Sequence, residues 1–294
     1  MVQKQTHTKP EEIKRVIPLA GGGQLSLSRP LVMGILNVTP DSFFDGGKFV
    51  KLESAVAQAQ KMIAEDADII DIGGESTRPG AEPIDQNEEQ QRVVPVIEAL
   101  RQCSDVCISV DTTHARTAEV AVEAGARIIN DVSAMRSDPD MVALAARLKL
   151  PVVLMHMQGT PRDMQKNPSY VDCVAEVTDF FRERIEFCRC HGVDKSKIIL
   201  DPGIGFGKRL SDNLEILANI SEFKQFGLPV LVGASRKSFI GMLHSVETAP
   251  EQRLGGSIAA AVTAIGNGAD IVRVHDVGQT VQALKVFQGI RSAE

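Results

Sequence analysis

The chain has 294 residues, 43% hydrophobic and 24% charged, which is the composition of a folded globular protein with a sizeable core and excludes a disordered, collagenous or low-complexity chain. Thirty-two basic against 38 acidic side chains give a formal net charge of -6, and with no Trp and one Tyr the chain offers few platforms for stacking bases, so nucleic acid is not an expected partner. No apolar run approaches the roughly 18 residues of a membrane span, and the polar, mixed-charge N-terminal segment lacks the apolar core of a secretory signal, so a cytoplasmic protein with no membrane partner is expected.

In chain order, residues 16–27 read as a hairpin, two short alternating runs around Gly21-Gly22-Gly23, placed to cap the bottom of whatever follows. Eight short apolar, β-branched runs come next, at residues 31–37, 68–73, 106–111, 127–131, 151–156, 197–201, 229–233 and 269–275. A longer stretch of helical period follows each. Ala55, Val56, Ala59, Met62 and Ile63 line one helical face, as do Met141, Leu144, Ala145 and Leu148, and later Val281, Leu284 and Phe287. Asp138-Pro139 supplies a cap and a first-turn proline, and Gly125 and Gly268 stand where a helix end wants a left-handed residue.

The fold class expected is α/β: a single-domain (β/α)8 TIM barrel over residues 29–294, with an N-terminal extension and hairpin over residues 1–28. A doubly wound open sheet is the competitor, and the pattern alone does not exclude it. The five cysteines, Cys103, Cys107, Cys173, Cys188 and Cys190, are odd in number, and their only close pair falls in an expected helix. That argues for a reducing compartment and against a disulfide framework or a structural zinc site.

Polar residues terminate every apolar run: Asn37, then Glu75-Ser76-Thr77-Arg78, Asp111, Asn130-Asp131, His156, Asp201, Ser235-Arg236-Lys237-Ser238, and Arg273 with His275. Each alone reads most simply as a helix or turn cap. Eight together point to a site, because a barrel collects its chemistry at the carboxyl ends of its strands. Period two puts Arg273 and His275 on one side of their strand, and a buried Arg needs an anion, either a ligand or a barrel carboxylate such as Asp111. His156 reads as a hydrogen-bonded orienter. The glycine-rich segments Asp45-Gly46-Gly47, Arg78-Pro79-Gly80 and Gly203-Ile204-Gly205-Phe206-Gly207 can approach a ligand or move as lids. The last has G-x-G-x-G spacing and no helix beginning inside it, so a nicotinamide cofactor is rejected.

The inventory sets acids and an amide (Asp111, Asn130, Asp201) among cations (Arg78, Arg236, Lys237, Arg273, His275), with no Ser or Cys arranged beside a base as a nucleophile. Carboxylates and amides read the donor-rich edge of a flat heterocycle, and cations match an anionic tail. Ser238 opens the helix after the seventh run, where free N–H groups favour an anion.

Several segments carry a resemblance. Met33-Gly34-Ile35-Leu36-Asn37-Val38-Thr39-Pro40-Asp41-Ser42-Phe43, Asp71-Ile72-Gly73-Gly74-Glu75-Ser76-Thr77-Arg78-Pro79-Gly80, Ile129-Asn130-Asp131, Met155-His156-Met157-Gln158-Gly159, Asp201-Pro202-Gly203-Ile204-Gly205-Phe206-Gly207-Lys208, Ser235-Arg236-Lys237-Ser238 and Arg273-Val274-His275-Asp276 resemble the dihydropteroate synthases, in order and over most of the chain. The resemblance implies a transferase of folate biosynthesis and a sulfonamide target. It would condense 6-hydroxymethyl-7,8-dihydropterin diphosphate with p-aminobenzoate, releasing pyrophosphate.

Carried over, the resemblance implies pterin binding by Asp111, Asn130, Met155, Asp201, Phe206, Gly233, Lys237 and Arg273. It implies p-aminobenzoate binding by Phe43, Thr77, Arg78, Pro79 and Ser238, and diphosphate binding by Asn37, Thr77, Arg78, Arg273 and His275. Mg2+ would sit on Asn37, and Asp111, Lys237, Arg273 and His275 would be catalytic. A pterin-dependent methyltransferase and a noncatalytic pterin-binding paralogue are the alternatives. The final helix carries an apolar stripe that either covers the barrel or joins a homodimer, as the final helices do in that family.

Overall fold

The computed structural model describes residues 15–39, 48–76, 84–244, 246 and 248–293, with backbone alone for residues 48–51. Two short strands, β1 (Val16–Pro18) and β2 (Gln24–Ser26), pair antiparallel across the Gly21-Gly22-Gly23 turn, where all three φ values are positive. The expected hairpin forms there. It is followed by β3 (Leu31–Asn37), α1 (Lys48–Ala64), β4 (Ile69–Gly73), α2 (Gln86–Cys103), β5 (Cys107–Asp111) and α3 (Ala115–Ala124). The alternation continues through β6 (Ile128–Asp131), α4 (Asp140–Leu148), β7 (Val152–Met155), α5 (Cys173–Cys190), β8 (Ile198–Asp201) and α6 (Leu210–Ala218). It ends with β9 (Leu231–Val232), α7 (Ser238–Met242), α8 (Leu254–Gly266), β10 (Ile271–Val274) and α9 (Val277–Arg291).

The strands lie parallel in the order β8-β7-β6-β5-β4-β3-β10-β9. The ends meet: Leu200 bridges Val230, and the Leu200 amide donates to the Pro229 carbonyl at 2.9 Å, so the sheet closes into a barrel and the open doubly wound alternative is excluded. The 229–233 run forms a regular strand only at β9. Next to it the Asp270 carboxylate accepts from Val230 N at 2.8 Å in place of a ladder carbonyl, while the Val230 carbonyl accepts from Asp270 N and Ile271 N.

Side-chain alternation sorts the strands into two faces. Val32, Ile70, Ile72, Ile108, Val110, Ile129 and their counterparts pack outward under the helices. Inward, Met33, Ile69, Cys107, Ile128, Val153, Ile199, Leu231 and Ile271 form one apolar layer, closed from below by Ile17 and Leu19 of the hairpin segment. Lys197 donates to the Pro18 carbonyl at 2.6 Å and Arg15 pairs with Asp270 at 2.9 Å, fastening the plug to the barrel.

The start of α4 differs slightly from expectation. Pro139 precedes the helix instead of occupying its first position, and the Asp138 carboxylate accepts from Asp140 N at 3.0 Å and from Ala115 N, the first residue of α3, at 2.8 Å. On α9, Val277, Thr280 and Leu284 face the barrel and are buried, while Val286 and Ile290 are exposed.

Because Ile17 is wholly buried in the plug, Ile17→Ala is expected to destabilise the fold by about 2–5 kcal/mol, read as a lowered urea midpoint at unchanged slope.

Candidate active site

The apolar layer fixes what lies above it. Two residues further along the inward faces come Asp71, Ser109, Asn130, Asp201 and Arg273, with Ile35, Met155 and Gly233 completing the level, so one step of the pleat replaces an apolar ring with a largely polar one. Asn37, Asp111 and His275 stand a further two residues along their strands, at the rim.

Arg273 is the centre of this ring. Its Nε donates to Asp71 Oδ2 at 2.6 Å and its Nη2 to Asp111 Oδ2 at 2.6 Å. Asn130 donates to the same Asp71 oxygen at 3.0 Å. Both readings of Arg273 therefore meet in one group: it is salt-bridged to barrel carboxylates, and of its five N–H donors those on Nη1 and one on Nη2 have no partner among the described residues and face a ligand. Burial alone would lower the Arg273 pKa, but Asp71 and Asp111 outweigh it and raise it. Burial raises Asp111, and neighbouring Asp71 adds to that while Arg273 opposes it. Asp201 is likewise raised by burial, against the pull of Lys237 and the hydrogen bond it accepts from Gly203 N at 2.8 Å.

Lys237 enters from the turn before α7. Its ammonium lies 4.1 Å from the centre of the Phe206 ring and donates to the Ile204 carbonyl. Burial pulls its pKa down to about 7 despite Asp201. The turn itself is locked: Arg236, at φ 59, forks onto Asp276 at 2.6 and 3.0 Å, and Ser235 Oγ lies 3.0 Å from His275 Nδ1. Arg236 is thus tied to a rim carboxylate and is not one of the converging cations. Ser238 begins α7 and is exposed.

The segment 203–207 is packed, which corrects its reading as a lid. Gly203 has φ 69, and a Cβ there would stand 1.9 Å from the His156 carbonyl; at Gly205, φ 81, it would meet Lys237 Cδ at 2.8 Å. Glycine is required at both positions by backbone and side-chain approach together. Beneath the segment, Lys208 donates to His156 Nδ1 at 2.9 Å and to the Phe206 carbonyl at 3.1 Å. Burial lowers His156 far below its ordinary range and Lys208 to about 7. His156 is therefore a neutral orienting residue, as its sequence context implies. Val132, Met155, Met157 and Met164, with Phe206 against them, form a small apolar wall beside the polar ring.

Asp111, Asn130, Met155, Asp201, Phe206, Gly233, Lys237 and Arg273 thus come together around the barrel mouth, with His275 and Asn37 at its rim. Phe43, Thr77, Arg78 and Pro79 lie outside the described residues. Asp131 turns away to accept from Ser133 N and Met135 N at 2.7 and 2.8 Å, holding the turn after β6. Sequence reasoning gave no role to Asp71 or Lys208. Their signals were present: Asp71 is the one carboxylate inside Ile69-Ile70-Asp71-Ile72-Gly73, and Lys208 closes the glycine segment.

Asn37 ends β3 partly exposed, and among the described residues its amide makes no hydrogen bond. Its carbonyl oxygen is the hard donor that Mg2+ accepts together with water and phosphate oxygens, so this residue fits such an ion.

Comparison with known proteins gives one answer. The family model of pterin binding enzymes matches residues 33–275. Dihydropteroate synthase of Escherichia coli (strain K12) is 52% identical over 275 residues, covering 94% of this chain and 96% of that protein. A Yersinia pestis dihydropteroate synthase solved as a sulfonamide drug complex is 51% identical with TM-score 0.87, over 93% of this chain and 98% of that one. The Xanthomonas albilineans enzyme in complex with 7,8-dihydropteroate is 45% identical with TM-score 0.84, over 93% and 99%.

The buried Lys208 makes a prediction independent of any ligand. With its folded pKa lowered to about 7 from 10.5, the unfolded chain binds the proton more readily, so folding is disfavoured below the folded pKa and the penalty fades as pH rises toward 10.5. Wild-type stability is expected to rise relative to Lys208→Met between about pH 7 and pH 10, read from urea midpoints. A constant difference would contradict it.

Proposed function

The chain belongs to the dihydropteroate synthase family, and from that premise we infer how its barrel mouth condenses 6-hydroxymethyl-7,8-dihydropterin diphosphate with p-aminobenzoate to 7,8-dihydropteroate and pyrophosphate on the route to folate. One observation carries the residue assignments. Asp201, Lys237 and Arg273, 72 positions apart at the extremes, interact through their charges around the barrel mouth beside Asp111, to which Arg273 is bonded. The barrel mouth thereby offers acceptors for the amino and ring N–H donors of a pterin, a donor for its oxo side and a fixed cationic plane for its face.

In this reading the Asp201 carboxylate accepts from the pterin donors, Asn130 fixes the ring edge, and Lys237 donates to the oxo side. Lys237 serves as a donor whether or not it carries its extra proton. Met155 and Phe206 cover the ring, and the backbone at Gly233 leaves room for it beside Arg273, since a Cβ there would lie 3.7 Å from Arg273 Cβ. Because two carboxylates already hold Arg273, its main contribution is a fixed plane on which the ring stacks; its remaining N–H groups and His275 meet the diphosphate. Mg2+ at Asn37 would supply neutralising charge to the diphosphate oxygens. Phe43, Thr77, Arg78, Pro79 and Ser238 complete the reading as the p-aminobenzoate contacts.

The reaction then follows from charge. The methylene C–O bond breaks with its electron pair leaving on pyrophosphate, and the positive charge is delocalised into the pterin ring. Asp111 stabilises it electrostatically. The arylamine lone pair forms the new C–N bond, and the nitrogen then gives up a proton. An arylamine is unprotonated at neutral pH, so no strong base and no protein nucleophile are needed. A homodimer and a cytoplasmic location belong to the same reading, with the exposed Val286 and Ile290 of α9 supporting the dimer. No described helix is long and apolar enough to cross a membrane.

Purified protein with Mg2+, the pterin diphosphate and p-aminobenzoate is expected to release pyrophosphate and form dihydropteroate. Asp201→Asn is expected to lower kcat/KM about 10- to 100-fold, chiefly through KM, as loss of a charged hydrogen-bond acceptor implies. Pterin binding without pyrophosphate release would instead indicate a noncatalytic paralogue.

A further inference from the structure

A second convergence of ligating side chains lies beside the barrel mouth. Glu75 follows the end of β4, Glu89 stands in the first turns of α2, and His114 precedes α3 with no side-chain capping bond. One donor atom from each lies within 4.8 Å of the others. Glu89 is 0% exposed; its Oε2 lies 3.0 Å from His114 Nδ1, and its Oε1 is buried with no hydrogen-bond partner among the described residues. A wholly buried carboxylate with an unmet oxygen, facing a second carboxylate, is an unfavourable arrangement until a cation completes it.

One pair in the arrangement has the spacing of two ligands on a common ion. Two donors each about 2.0–2.2 Å from one ion, at octahedral or tetrahedral angles, stand about 2.9–3.5 Å apart. The 3.0 Å between His114 and Glu89 falls in that range. Two carboxylates also balance the charge of a dication, and the imidazole adds a nitrogen donor. The support is built in: Arg92 donates to the Gly74 carbonyl at 2.7 Å and is itself paired with Glu88, and a Cβ on Gly74 would come 2.9 Å from Val93 Cγ1 and 3.1 Å from Glu89 Cγ. The chain carrying Glu75 is therefore pressed onto α2 next to Glu89.

We propose that Glu75, Glu89 and His114 form a divalent-cation site for an ion of the Zn2+ class, separate from Asn37, which staples β4, α2 and α3 together. The mixed nitrogen and oxygen donors select a borderline ion over Mg2+, which favours oxygen and water. The proposal does not depend on the reaction assigned to the barrel.

Chelator-stripped full chain, with Mg2+ in excess, is titrated with Zn2+ against a chromogenic indicator and with Co2+ by visible absorption. One Zn2+ per chain is expected, with binding weakened about ten-fold or more in Glu89→Gln and His114→Ala, loss of the Co2+ bands in both, and a Zn2+-dependent rise in Tm only in the wild type. Glu75→Gln, at a partly exposed position, gives the same reading if the buried variants do not fold. Absence of Zn2+ and Co2+ binding to the folded wild type, or binding unchanged in Glu75→Gln, overturns the proposal.

Discussion

The ion cluster Asp71–Arg273–Asp111 is the constraint around which the barrel mouth is arranged. A guanidinium inside a barrel requires counter-charge, and the two carboxylates that supply it come from β4 and β5, whereas Arg273 comes from β10. Both oxygens that receive Arg273 lie at 2.6 Å, so the guanidinium plane is set before any ligand arrives. Removing one partner from such a cluster leaves a buried charge uncompensated, which costs about 3–5 kcal/mol. That orientation is what a stacked heterocycle needs, and it explains why the mouth holds an arginine where a lysine would supply charge without a plane.

The second cationic element is built differently. Among the described residues Lys237 has no carboxylate in hydrogen-bond contact; it is held by a carbonyl and an aromatic face, and burial brings its pKa to about 7. Lys208, one layer away under the glycine segment, is similarly shielded and bonded to a neutral His156. Among the described residues the mouth therefore presents its cations chiefly as fixed donors. Such a site favours recognition of a neutral ring edge by geometry and leaves part of the leaving group's charge to be met at the rim, where His275 and Asn37 stand.

The fold and the polar layer at the barrel mouth were legible in the sequence because both follow from period two. Once Ile69, Cys107, Ile128 and Ile271 form the inner apolar layer, Asp71, Ser109, Asn130 and Arg273 must form the next, and the polar endings of the strands announce it. Ring closure was not legible, since parallel runs look alike in a barrel and an open sheet, and the deciding contact is the single Leu200–Val230 bridge. Next to the short β9 an Asp270 side chain reaches a backbone amide 40 positions away, which no local pattern carries. Arg236 and Lys237, adjacent in sequence, read alike as cations; the structure separates them because Asp276 is within reach of one and not the other. Asp71 was overlooked for a related reason. A residue in mid-strand has no turn or cap role to draw attention to it, yet an unexplained charge in a buried strand is itself a sign of a partner across the barrel.

Asp71 acts by holding Arg273. A double-mutant cycle of Asp71→Asn and Arg273→Met, read in kcat/KM for pyrophosphate release, tests it directly. Asp71→Asn is expected to lower kcat/KM in the wild-type background but to have little further effect once Arg273 is gone, a coupling of about 1–3 kcal/mol. Equal losses from Asp71→Asn in both backgrounds would contradict it.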